Sequence, residues 1–156
     1  MATTKVCVRM GGIRLSLAMI VGLLVVPGFV VAPVLFSKLD THTAGMVAGS
    51  IFHVANVSIL LLSAAVVAFW MRLPSLGWLN WTLLMVIALL VCANEFAIAP
   101  VMQALKDATG DISALPKDDP QRMKFGMLHG ISEIVHLLAS IMAVVLVALG
   151  GNSKKA

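Results

Sequence analysis

Five ionisable side chains lie inside long apolar stretches of this chain: His53, Glu95, His129, Glu133 and His136. A carboxylate and an imidazole can share a proton or hold a cation, and two imidazoles can ligate a haem iron from opposite sides. Glu133-x-x-His136 has the spacing that carboxylate-bridged di-iron bundles place on a helix, although such a site draws on two copies of it. At about 100° per residue, His129, Glu133, His136 and Ser140 fall within roughly 60° of one another, one polar stripe on an apolar helix. Asn56 follows His53 by three residues, Asn94 adjoins Glu95, and Ser132 adjoins Glu133, so amides and a hydroxyl accompany the ionisable groups.

None of these apolar stretches contains Lys or Arg. A carboxylate facing lipid costs about 2.5–3.5 kcal/mol even on the milder insertion scale. Glu95 and Glu133 are therefore expected to face a bundle interior, balanced by a proton, a histidinium or a bound cation. Counting about 1.5 Å per residue from the outer end of each stretch, Glu95 lies roughly 9 Å deep, His129 about 6 Å, Glu133 about 12 Å, His53 about 13 Å and His136 about 16 Å. Three readings stand side by side. The cluster is a structural polar network that includes Asn56, Asn94 and Ser132. Or it is a cofactor site, with His53, Glu95, His129, Glu133 and His136 as metal ligands or His53 and His129 as haem ligands. Or it relays protons or lines a small transport path. Cys92, near Glu95, could join a soft-metal site, but more often such a cysteine is a small buried apolar residue.

The elements that must position these groups follow from composition. The chain has 156 residues, 60% of them hydrophobic and 12% charged, against about a quarter charged in soluble domains. Its apolar runs reach the roughly 20 residues that a membrane span needs. Four spans are expected, over about 15–36, 44–70, 77–102 and 125–150, with an outer loop at 103–119, all in one membrane domain. Val30 and Ala32 would suit a signal-peptide cleavage site. Pro33 directly after Ala32, and the recurrence of Ala-Pro-Val at 99–101, favour a retained span. Asp119 followed by Pro120 reads as an N-cap and first-turn proline, so the fourth helix is expected to begin before its membrane part. Trp70, Trp78 and Trp81 cluster at one boundary, as an interfacial aromatic belt would. Cys7 and Cys92 are too differently placed to bridge.

The net charge of +4 comes mostly from Lys and Arg beside the spans, which topology explains without nucleic acid. One side holds Lys5, Arg9, Arg14, Arg72, Lys154 and Lys155; the other holds Lys38, Lys106, Lys117, Arg122 and Lys124, offset by five aspartates. Three of the first set precede the first span, so both termini are expected in the cytoplasm. The chain also repeats itself. Ala32-Pro33-Val34 matches Ala99-Pro100-Val101, and His53 and His129 each follow a pair of glycines at GxxxG spacing, Gly45 and Gly49, then Gly126 and Gly130. Two hairpins in the same orientation are implied. The glycines are expected to make close helix contacts. Pro33 and Pro100 are expected to kink their helices and free the carbonyls of Phe29 and Phe96.

At Phe125, Leu128, His129 and Ser132 the chain resembles the transmembrane protein 205 family and its bacterial relatives, whose last helix carries Phe-x-x-Leu-His-x-x-Ser. Ala32, Pro33 and Phe36, then Gly49 and Phe52, match further motifs of that family in its first hairpin. His136 stands where the family has Asn. The resemblance runs from about residue 15 to 150. It implies a four-helix membrane protein and supplies no activity. The fold expected is thus all-α, an integral membrane four-helix bundle of two repeated hairpins. The function expected is a non-enzymatic membrane protein with a Glu/His site towards the outer side, binding a cation or haem or holding the bundle together. A transporter or proton-relay component is the alternative, and a haem or di-iron oxidoreductase the third reading. The partners expected are the lipid bilayer and a second copy or another membrane protein, in a bacterial inner membrane.

Overall fold

The computed structural model describes residues 2–72 and 77–149, with side chains from Cys7 onward. The side chain of Lys5, and all of Pro74, Lys154 and Lys155, lie outside the described residues, as does Gly150. Among the described residues the structure is helical throughout, with no strand: α1 (Ala2–Val26), α2 (Ala32–Lys38), α3 (Thr41–Trp70), α4 (Trp78–Ala93), α5 (Ala99–Thr109) and α6 (Pro120–Ala148). A π-helical turn, Pro27–Val31, joins α1 to α2 without a break, and another, Asn94–Ile98, joins α4 to α5. Four continuous helices result, each long and apolar enough to cross a membrane. The chain is a multi-pass membrane protein.

Local chemistry sets the ends. Asp40 caps α3, its carboxylate accepting from the Thr43 N–H at 2.9 Å. Asp119 caps α6, accepting from the N–H groups of Gln121 and Arg122, with Pro120 in the first turn as its missing donor allows. The third helix runs seven residues beyond the expected span, from Met102 to Thr109. Gln103 donates to Asp107 one turn on, at 2.8 Å, and Lys106 reaches across to the Gly45 carbonyl at 3.3 Å. It stops at Gly110, whose φ of 72° is the left-handed conformation that glycine adopts without strain.

The helices close into a ring. α1 packs along α3, α3 against α4, α4 along α6, and α6 against α1. Arg9 on α1 reaches the Arg72 carbonyl after α3, which brings the start of the first helix and the end of the second to one end. The apolar core fills that end and the middle. Ile13, Leu17, Ile20 and Leu24 recur every three or four residues on α1 and meet Ile59, Val66 and Trp70 of α3, Leu84, Ile87 and Val91 of α4, and Ala139, Ala143 and Leu146 of α6.

Three expectations change here. Of the tryptophans only Trp78 stands outside, 75% exposed; Trp70 is buried at 1% and meets the Trp81 ring edge-on, with centroids 5.3 Å apart. Trp70 lies on the inward face of α3, so helical phase outweighs its position near a boundary. The glycine pairs are not close contacts within the chain. A methyl group added at Gly45, Gly49, Gly126 or Gly130 would meet nothing within 4 Å. The prolines follow π-turns. The Ala32 N–H bonds the Pro27 carbonyl and the Ala99 N–H bonds the Asn94 carbonyl, five residues back in each case. The wider turn absorbs the proline ring that an α-turn would crowd. Phe29 and Phe96 within these turns are exposed.

Candidate functional site

Above the apolar core, all four membrane helices contribute polar atoms at one level. The π-turn of the third helix begins at Asn94 and Glu95 and leaves both side chains buried. Glu95 is only 8% exposed. His53 Nδ1 pairs with its Oε1, and Asn56 Nδ2 donates to its Oε2 at 2.9 Å. His53 and Asn56 are one turn apart on α3, so a single helix face supplies both donors. A carboxylate taken out of water must be paired and hydrogen-bonded, and these two side chains meet that demand without Lys or Arg. The His53 side chain itself remains 65% exposed. Its Nδ1 is engaged, which leaves Nε2 as the open nitrogen.

Beside this triad, Ser132 of α6 donates to Asn94 Oδ1 at 2.7 Å. His136, one turn further along α6, points to the first helix instead, where its Nε2 meets the Leu24 carbonyl at 2.6 Å. A carbonyl only accepts, so Nε2 carries the proton. The ring sits against Gly28: a methyl group there would come within 3.0 Å of Nε2. Phe52 packs edge-on against it, centroids 5.2 Å apart. Ser140 donates to the His136 carbonyl at 2.8 Å. A narrow gap between the helices is lined by Asn56, Asn94 and His136 with Leu90, Val91, Val135 and Ala139.

Glu133 and His129 stand elsewhere, contrary to the expected shared interior site. They pair with each other on one helix, Nε2 to Oε1 at 3.1 Å, with side chains 50% and 69% exposed for His129 and Glu133. The reason is helical phase: Glu133 lies about 100° round the helix from Ser132, and Ser132 is on the side that meets the third helix. The five expected ligands thus divide into two pairs and one histidine on a backbone carbonyl. Among the described residues no three His, Cys, Asp or Glu side chains come close enough to hold one metal ion. Cys92 is free and half-buried. Phe125 stacks on His129 at 6.1 Å, and the Lys106 ammonium lies over the Phe125 ring at 5.7 Å.

Sequence reasoning missed the Leu24 carbonyl, Gly28 and Phe52. Pro27-Gly28 inside an apolar run was the available signal, since such a pair marks an interrupted helix. Outside the membrane part, hydrogen bonds to the Thr43 N–H hold Asp40 below the ordinary carboxylate value of 3.8. Hydrogen bonds from the Ser113 hydroxyl and N–H do the same for Asp111.

Residues 15–111 match the model of a family described as a domain of unknown function, DUF4149. The match takes in His53, Asn56, Asn94 and Glu95 and stops short of α6. No curated protein and no solved structure matches the chain.

Proposed function

The chain belongs to the DUF4149 family, and we propose that it is a membrane module that takes up and releases a proton at Glu95 and His53. One observation carries this reading. A buried carboxylate has both oxygens engaged, without a basic residue, by an amide and by an imidazole that is itself largely exposed. A purely structural polar layer needs satisfied interior pairs, such as Ser132 with Asn94; it does not need an open imidazole. With one proton between Nδ1 and Oε1 and a second on Nε2, the pair is neutral. Release of the Nε2 proton to an acceptor at the exposed face of α3 leaves one negative charge, held by the hydrogen bond from Asn56. The pair therefore exchanges a proton without moving the helices. It fits a proton-relay or proton-coupled transport component.

The same pair favours a second reading. A carboxylate on one ring nitrogen orients an imidazole to ligate a metal ion or haem iron through the other. His53 would then be the one ligand from this site, with the remaining ligands from water or another chain. The orientation with termini in the cytoplasm, in a bacterial inner membrane, rests on the charge asymmetry beside the spans. The likeness to the transmembrane protein 205 family rests on the motifs in the first two and last helices. A different pairing of the two hairpins is also proposed. Both π-turns end at an Ala-Pro-Val, and His53 and His136 each reach the π-turn region of a neighbouring helix. On this reading His136, rather than His129, is the counterpart of His53, and Gly28 that of Glu95.

The test is an infrared pH titration of the protein in bilayers. A protonated-carboxyl band should appear as pH falls, disappear in Glu95→Gln and shift in His53→Ala. A carboxyl signal unaffected by either change, in folded protein, would rule the proton reading out. Stoichiometric iron or a Soret band, lost in His53→Ala, would replace it with the second.

A further inference from the structure

Among the described residues of the membrane part, Glu133 is the acidic side chain left outside. It stands on α6 at the level of Glu95, yet it faces away from the bundle with His129 one turn above it. Lipid solvates a carboxylate poorly, so a Glu at this depth calls for a polar cover. The surface around it has a particular form. Gly126 and Gly130 lie on the same strip, each with open space where a side chain would be. Two glycines at this spacing let a second helix backbone approach closely. Below Glu133 the strip continues through Leu137 and Val144, both exposed.

We propose that this strip of α6 is the interface with a second copy of the chain, the two related by a twofold axis along the membrane normal. Charge complementarity selects the occupant. The strip carries both a carboxylate and its imidazole partner, one turn apart. A twofold axis sets α6 against its mate in the same direction and brings each His129 within a turn of the partner subunit's Glu133. The two pairs form reciprocally, as an isologous contact requires. Any other helix would have to bring its own base to the same depth. On the second helix the ionisable group beside Gly45 and Gly49 is His53, which pairs with Glu95 of the third helix and has no carboxylate on its own strip. This inference does not depend on proton exchange at Glu95; a failure of one leaves the other standing.

Cross-linking in bilayers tests it without altering the polar pair. In a background with Cys7→Ser and Cys92→Ser, Leu137→Cys lies on the strip and Leu138→Cys lies about 100° round the helix. Oxidation should give a disulfide-linked dimer of this chain with Leu137→Cys and little with Leu138→Cys. Subunit counting by single-molecule photobleaching should find two copies per particle. Gly130→Leu, which fills the approach, and Glu133→Leu, which removes the charge, should each weaken association about tenfold or more. One copy per particle at every protein-to-lipid ratio would overturn the proposal. So would equal cross-linking at the two positions, or cross-linking from position 137 only to a different protein.

Discussion

His53 and Glu95 come from different helices and meet inside the bundle, whereas His129 and Glu133 come from one helix and meet on its outer face. The residue types are the same and the depth is similar. The interhelical pair has a third partner in Asn56 and a buried carboxylate; the pair on α6 has neither. A π-turn makes part of the difference. It gives the third helix an extra residue at Asn94–Ile98, and within that turn both Asn94 and Glu95 are buried. On α6 Ser132 bonds inward to Asn94 and Glu133 stands outside. Chemistry at a given depth is therefore assigned by helical phase, and a π-turn is one way of shifting that phase.

The largest expected effect falls on the interior pair. Glu95→Ala leaves Asn56 buried without an acceptor and should lower unfolding stability by about 2–4 kcal/mol. Glu133→Ala, with both variants measured on monomer in detergent micelles, should change it by about 0.5 kcal/mol or less. Equal losses at the two positions would erase the contrast.

A second contrast is between glycines. Gly28→Ala pushes a methyl group against His136 and off its bond to Leu24, and should destabilise by about 1–2 kcal/mol. Gly49→Ala meets open space, and should be neutral or stabilise by up to about 1 kcal/mol through helix propensity. Reversible unfolding reads both, and a stable Gly28→Ala protein would mean that His136 has another place to go.

Smaller again is Ser132→Ala. It removes one bond to Asn94 and should cost about 0.6 kcal/mol, the usual worth of a hydrogen bond between membrane helices.

The smallest effect lies outside the membrane. Hydrogen bonding in the folded state depresses Asp40 below 3.8, so its contribution to stability is present above that value and lost as pH falls through the folded one. Asp40→Asn should flatten that part of a stability–pH curve and leave the rest unchanged.

Much of the architecture was legible in the residues because it depends on local physics. The apolar runs and the cap at Asp119-Pro120 need no tertiary information. The interior placement of Glu95 was legible too, since a carboxylate without a basic neighbour has few places to go. The same argument failed for Glu133, because energy alone does not say which side of its helix a residue faces. Trp70 failed similarly: a boundary position suggested a belt, and the inward face of α3 buried it. The prolines were visible, but the response of the backbone to them was not, because an α-helix relieves a proline clash by kinking or by widening a turn. The GxxxG spacing marked faces that permit close approach without saying that a helix of the same chain occupies them.

The residues by themselves determined that four helices span a membrane, where the fourth begins, and that a buried acid had to find its balance among histidines and amides. Hydropathy, capping and the cost of burying charge act within a few residues or on one group at a time. Only the packed bundle decided that His53 and Asn56 reach Glu95, that His136 turns to the backbone at Leu24, and that Glu133 is left outside. Those outcomes depend on the rotation of each helix against its neighbours and on one extra residue in a π-turn. Both are set by contacts between segments far apart in the chain.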